Sequence, residues 1–177
     1  ADSPYCDPQN DHLLPEPRDA VLDVRVGYVA KTDPEGKTWE IIAGGFRNQF
    51  DVAFNGDGEM FTYDADMEWD VGQPWYRPTR LNHVVSGGEY GWRWGTGKWP
   101  EYFADSLPST LDTGLGSPTG LEFGTRSNFP PPYRQSLFMG DWQHGRIFQV
   151  GLTPRGASYG GDYKVFLEGG ALNVCDL

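Results

Sequence analysis

The feature that most narrows the fold is a loose internal repeat. "YVAKTDPEGKTW" (28–39) returns as "FQVGLTPRGASY" (148–159), with Pro34 matched by Pro154 and Gly36 by Gly156. "DVAF…MFTYDAD" is echoed by "GLEF…LFMGDW", so Phe54 matches Phe123 and Met60 matches Leu137. The spacings between matched residues are unequal, which puts insertions in loops and leaves the strands intact. Such repeats are the signature of stacked units that share a continuous core. Apolar residues alternate over short runs and never sustain the 3.6-residue period of a helix. Four strands, a link and four more strands predict an all-β chain of four-stranded antiparallel β-propeller blades.

The boundaries follow from the turn signals. Residues 1–25 form an extended arm punctuated by Pro4, Pro8, Pro15 and Pro17. Residues 26–42 close a preceding blade as a hairpin turned at Asp33-Pro34-Glu35-Gly36. One blade spans 46–94, with strands near 50–54, 59–64, 80–85 and 89–93. The next spans 118–167, with strands at 119–123, 136–140, 146–152 and 162–167, and 169–177 opens another. An arc of two full and two partial blades leaves blade faces bare. The chain is therefore expected to be a segment of a longer polypeptide.

Composition agrees and removes several function classes. Aromatics at 15%, with 24 glycines and 14 prolines, suit many turns with rings packed between them. A net charge of −11 speaks against nucleic acid, which wants a basic stripe, and against an anionic membrane surface. No apolar run approaches the roughly 20 residues of a membrane helix. The opening "ADSPYC" reads either as a mature exported N-terminus or as the start of a fragment. Cys6 and Cys175 either bridge or stay free thiols, and no CxxC pattern points to zinc or haem.

Several residues are candidates for chemistry. Asp64, Asp66, Glu68 and Asp70 fall on alternate positions of "FTYDADMEWD" and so point to one side of an extended chain. Converging carboxylates repel unless a cation or a basic partner is present. The run therefore reads as a calcium site, or as a structural element paired with Arg77 and Arg80. Trp69, Trp75, Tyr76 and Trp99 beside these acids are candidate sugar-stacking rings, with Trp92 as core. His83 reads as a packing histidine. His144, with Asp141 as its orienter in "DWQHG", is a candidate general base, though a solvated turn histidine is the plainer reading.

The run "GGFRNQFDVAFNGDGEMFTYDADMEWDVGQPWYRPTRLNHVVSGGEYGWR" (44–93), continued by "GSPTG" and "YRQSLFMGDWQHGRIFQV", resembles the glucose/sorbosone dehydrogenase propellers. It is most similar to the large planctomycete-type propeller proteins described as membrane-bound or PQQ-dependent dehydrogenase-like. The resemblance implies a six-bladed, exported, periplasmic type of enzyme that oxidises a carbohydrate or alcohol with pyrroloquinoline quinone (PQQ) and calcium. A fused haem domain or a cytochrome is the implied electron acceptor.

By the same resemblance, Arg47 and Asn48 contact the quinone carboxylates, and Asn82 is retained from a cofactor motif. "GGxYGW" is matched by Gly87, Gly88, Tyr90, Gly91 and Trp92. The chain departs elsewhere: Phe50 replaces a family glutamine, "YDADM" lacks the Gly-Pro carbonyl ligands, and "TRLN" lacks both acids of its motif. The family's upstream catalytic histidine has no counterpart besides His12, in an unmatched context. The alternative is a non-catalytic propeller that binds a glycan or a protein, with a structural cation or an arginine-paired acidic loop.

Overall fold

The computed structural model describes residues 27–65, 67–68, 76–93, 97–98, 102–104 and 106–177. In chain order its strands begin with β1 (Gly27–Thr32), β2 (Trp39–Phe46), β3 (Val52–Phe54), β4 (Met60–Asp64) and β5 (Met67–Glu68). β6 (Tyr76–Arg77), β7 (Thr79–Val84), β8 (Gly88–Glu89), β9 (Trp92–Arg93) and β10 (Gly97–Lys98) follow. The last are β11 (Leu111–Gly114), β12 (Pro118–Phe123), β13 (Leu137–Asp141), β14 (Arg146–Arg155) and β15 (Ser158–Glu168). The only helical pieces among the described residues are two short 3-10 turns, at Gly124–Arg126 and Tyr133–Gln135.

The chain forms two compact units interleaved in sequence: residues 1–48, 67–77 and 85–108, and residues 49–66, 78–84 and 109–177. In the first, β1 and β2 make an antiparallel hairpin, and β2 pairs with β8 in parallel through Ala43↔Gly88 and Gly44↔Glu89. The hairpin turns at Gly36, φ +67°. Its repeat mate, the β14–β15 hairpin, turns at Gly156, φ +62°. Only glycine adopts that left-handed conformation at little cost, which explains why both glycines recur.

The second unit holds two four-stranded sheets, ordered β11-β7-β4-β3 and β12-β13-β14-β15. The second sheet is an antiparallel meander running from Pro118 to Glu168. The first departs from expectation in one strand. Its fourth member is Leu111–Gly114, on β7, whereas Gly88–Glu89 pairs with β2 in the other unit. The tight "NGDG" turn between β3 and β4 is closed by Asn55, whose side-chain oxygen accepts the N–H groups of Asp57 (3.0 Å) and Glu59 (2.9 Å). Asp57 is thus a turn former.

The facing sides of the two sheets build the core. Phe61, Tyr63 and Leu81 of the first sheet meet Leu121, Leu137, Met139, Phe148 and Val150 of the second. These residues alternate along each strand, as burial of one sheet face requires. His83 belongs to the same side, 7% exposed, and stacks on Phe61 with ring centroids 5.1 Å apart. Its ring nitrogens lie 3.1 Å from Ser158 Oγ and 2.9 Å from Glu59 Oε2, so it is a packing histidine with both heads engaged. Tyr63 shares a hydroxyl cluster with Thr79 and Thr113, and burial pushes its phenol up to about 12.

Candidate functional site

The two sequence stretches that carry the resemblance are joined physically in the first unit. Gly87 N–H donates to Ile42 O (2.7 Å) and Tyr90 N–H to Gly44 O (2.9 Å), so "GGEYGW" is stitched along the end of β2. Phe46 stacks on Tyr90 at 4.5 Å between centroids. Gly45 has φ +81°, and a Cβ there would run into the Glu89 carboxylate and come within 2.6 Å of Gly91 N. The glycine therefore lets a buried acid sit directly against the strand end. Arg47, half-buried, and Asn48, exposed, leave that pinned end immediately afterwards.

Glu89 went unrecognised in the sequence. It is 5% exposed, and its Oε1 accepts the Gly91 N–H at 2.8 Å. A carboxylate this buried needs fixed donors to remain charged. The available signal was its place inside the glycine-rich motif, the one position there whose identity the motif leaves open. Trp92 is buried at 4% exposure, as its core assignment expects.

In the second unit Asn82 is fully buried on β7, opposite Thr62. Both of its amide atoms, Nδ2 and Oδ1, lack a hydrogen-bond partner among the described residues. An orphaned buried amide costs about 1–3 kcal/mol. Such a group fits a protein that satisfies it with a ligand.

Asp64 is taken by an arginine. Arg80 Nη2 donates to Asp64 Oδ2 at 2.9 Å and Nε at 3.2 Å, both side chains being essentially inaccessible, while Oδ1 accepts the Ala65 N–H. At this residue the acidic run has an arginine beside it, the partner that one of its two readings named. Asp66, Trp69, Asp70, Trp75 and Trp99 lie outside the described residues, and of Glu68 and Tyr76 only the backbone is described. Among the described residues no three His, Cys, Asp or Glu side chains gather as metal ligands. Cys175 is a free, exposed thiol, and Cys6 lies outside the described residues.

Asp141 and His144 do meet. Asp141 Oδ2 lies 2.9 Å from His144 Nδ1 and 3.0 Å from Arg146 Nε, and Oδ1 accepts the N–H of Ser117 (2.9 Å) and Gln143 (3.1 Å). Burial works to raise the Asp141 carboxyl, but the Ser117 N–H, the Arg146 and His144 hydrogen bonds and the Arg146 charge together hold it below its usual 3.8. Its main task is to knit the β13–β14 turn, with His144 held at the turn's partly exposed edge.

Asp141–Arg146 and Asp64–Arg80 are the same device. Each aspartate ends the second strand of its sheet and pairs across the ladder with the arginine on the third strand. Aligning "MFTYD" with "LFMGD" brings the two acids into register, a signal present in the repeat itself.

The fold is that of the glucose and aldose sugar dehydrogenase β-propellers, in a partial set of blades. No protein-family model matches the chain, and no curated protein matches it in sequence. A putative glucose dehydrogenase from Thermus thermophilus superposes with a TM-score of 0.62 at 18% identity, over 77% of this chain and 38% of that one. The PQQ-bound aldose sugar dehydrogenase of Streptomyces coelicolor gives 0.61 at 17%, over 85% and 42%. The apo soluble aldose sugar dehydrogenase of Escherichia coli gives 0.52 at 19%, over 72% and 37%. The chain thus spans under half the length of each of these structures.

Proposed function

We propose that this chain contributes the cofactor-holding blades of an exported sugar or alcohol dehydrogenase. Arg47 and Asn48 present a guanidinium and an amide to the carboxylates of PQQ, a pairing of planar donors with planar acceptors. Asn82, kept from a cofactor motif, offers PQQ a buried amide. The observation that carries the reading is Asn82: an amide retained at a motif position, fully buried, with neither polar atom paired among the described residues. When bound, PQQ is the two-electron acceptor for oxidation of a carbinol carbon.

This chain's own residues bind and orient. Glu89 and Gly45 hold the strand end from which Arg47 and Asn48 project. Calcium enters through Asp66, Glu68 and Asp70, with Trp69, Trp75, Tyr76 and Trp99 as the carbohydrate-facing rings. His144, oriented by Asp141, is the proposed proton acceptor. A haem domain or cytochrome would receive the electrons, in an extracytoplasmic compartment. No helix among the described residues is long and apolar enough to cross a membrane.

Titration of the chain with PQQ, with and without calcium, tests the reading through quenching of tryptophan fluorescence. Saturable binding is expected, and Arg47→Ala should weaken it about tenfold or more, the loss of a charge-assisted hydrogen bond of roughly 1.5–3 kcal/mol. A wild-type chain that shows no saturable quenching would overturn the proposal and favour the glycan- or protein-binding alternative.

A further inference from the structure

We propose that Ser158, His83 and Glu59 form a nucleophile–base–acid triad that cleaves small activated esters by acyl transfer to the serine. All three lie in the second unit, and none is among the residues assigned to PQQ. Three segments distant in the chain meet to build it. Glu59 directly precedes β4 and shares a side of the extended chain with Phe61 and Tyr63, at the two-residue strand period. Asn55 clamps its backbone: the Glu59 N–H donates to Asn55 Oδ1 (2.9 Å), and the Glu59 carbonyl accepts the Asn55 N–H (3.0 Å). His83 stands opposite Phe61 across the β4–β7 ladder, and Ser158 opens β15 just after the β14–β15 turn.

The imidazole is fixed from two directions. Phe61 stacks on it, and Tyr159 meets it edge-on with centroids 5.0 Å apart. Tyr159 is itself anchored, its hydroxyl accepting an Asn55 Nδ2–H at 3.1 Å. Packing accounts for these ring contacts, but not for an acid at one ring nitrogen and a hydroxyl at the other. An ionised carboxylate has no proton to give, so Nε2 carries the hydrogen that Glu59 Oε2 accepts at 2.9 Å. In the neutral ring Nδ1 is then the acceptor, and it faces Ser158 Oγ at 3.1 Å. Acid, imidazole and hydroxyl thus stand in the order that activates a serine, at the separations such groups use. Relative to the serine proteases the two ring nitrogens have exchanged partners, with the same proton path.

Burial divides the roles. His83 is shielded, while Ser158 is exposed and within reach of a substrate. Ser158 Oγ attacks the ester carbonyl carbon as its proton passes to His83 Nδ1. The bond to the leaving oxygen breaks, that oxygen takes the proton from Nδ1, and the acyl group stays on Ser158. Water then attacks the acyl-serine, giving its proton to Nδ1, and the proton returns to Oγ as the carboxylic acid departs. On an exposed hairpin turn remote binding energy is small, so the substrates are small esters with good leaving groups, aryl esters above all.

The 177-residue chain is treated with a fluorophosphonate, which phosphonylates activated serines, and the labelled peptide is mapped by mass spectrometry. One label per chain is expected, on Ser158, and Ser158→Ala should abolish it. His83→Gln should slow labelling about a hundredfold or more, the share of a general base. Glu59→Gln, at a side chain 48% exposed, should slow it about tenfold, the loss of one charge-assisted hydrogen bond. With p-nitrophenyl acetate the same Glu59→Gln should lower kcat and leave KM and Tm unchanged, which loss of a merely structural acid would not do.

A folded wild-type chain without stoichiometric label on Ser158 overturns the proposal. Labelling of Ser158 at the wild-type rate in Glu59→Gln overturns it as well, whether or not His83→Gln folds, because the hydroxyl then reacts without the triad. Ester hydrolysis that survives Ser158→Ala undiminished would assign the activity to other surface nucleophiles and would equally overturn it.

Discussion

Replacing Asp64 with asparagine is the most informative perturbation of the scaffold. The carboxylate is 0% exposed and its arginine 2%, so neither reaches water when the other is removed. Asp64→Asn takes the aspartate charge away from a buried guanidinium. Breaking a buried pair in this way costs about 3–5 kcal/mol, against about 0–1 kcal/mol for an exposed pair. At roughly 2–4 °C per kcal/mol for a chain of this size, a loss of about 10 °C in Tm is expected. Urea midpoints should move with it at constant slope. The double variant Asp64→Leu with Arg80→Met removes both charges, and it should regain most of the loss because apolar replacements of a buried pair are often neutral or better. A single variant within about 1 kcal/mol of wild type, the range of an exposed pair, would refute the reasoning, since solvent or another acid would then be compensating Arg80. A double variant no better than the single would refute it on the other side.

Other outcomes follow from the same geometry. Gly45→Ala should destabilise the first unit by about 2 kcal/mol or more, because it forces a Cβ into a left-handed position already filled by Glu89; thermal melts measure this, and PQQ binding should fall in parallel. Asn82→Leu should leave Tm unchanged or raise it, as it removes two unpaired buried polar atoms, while abolishing PQQ binding; a drop in Tm with binding intact would reverse both roles. The folded Asp141 carboxyl sits below its ordinary 3.8, so its stabilisation is complete above the unfolded value and is lost as pH falls through the folded one. Acid titration of wild type against Asp141→Asn should therefore converge at low pH, the variant losing less stability on acidification.

The legible part of the chain was its periodicity. Short alternating runs, paired glycines at turns and a matched "MFTYD" and "LFMGD" suffice for an all-β repeat, because strand faces and left-handed turns are local matters written into neighbouring residues. The β12–β15 sheet was readable whole for that reason: its strands are sequential and its turns short. The first sheet was not. Its fourth strand comes from Leu111–Gly114, beyond a long excursion, and nothing local tells "GGEYGW" that its partner is β2 in parallel instead of the strand before it.

Charge pairing divides along the same line. The alternation of Asp64, Asp66, Glu68 and Asp70 was visible, but alternation along a strand names a side, not an occupant. Only the ladder register, which sets Asp64 opposite Arg80, gives this acid a guanidinium as a partner. Glu89 makes the point from the other direction. The glycine-rich motif marks where this acid sits but not that it is buried, and its position against Gly45 exists only because two segments distant in the chain share one sheet edge. Strands, turns and the repeat were already fixed by chemistry between near neighbours in the chain. Which buried charges pair and which amide stays unpaired were settled by folding, because each depends on residues brought together from afar.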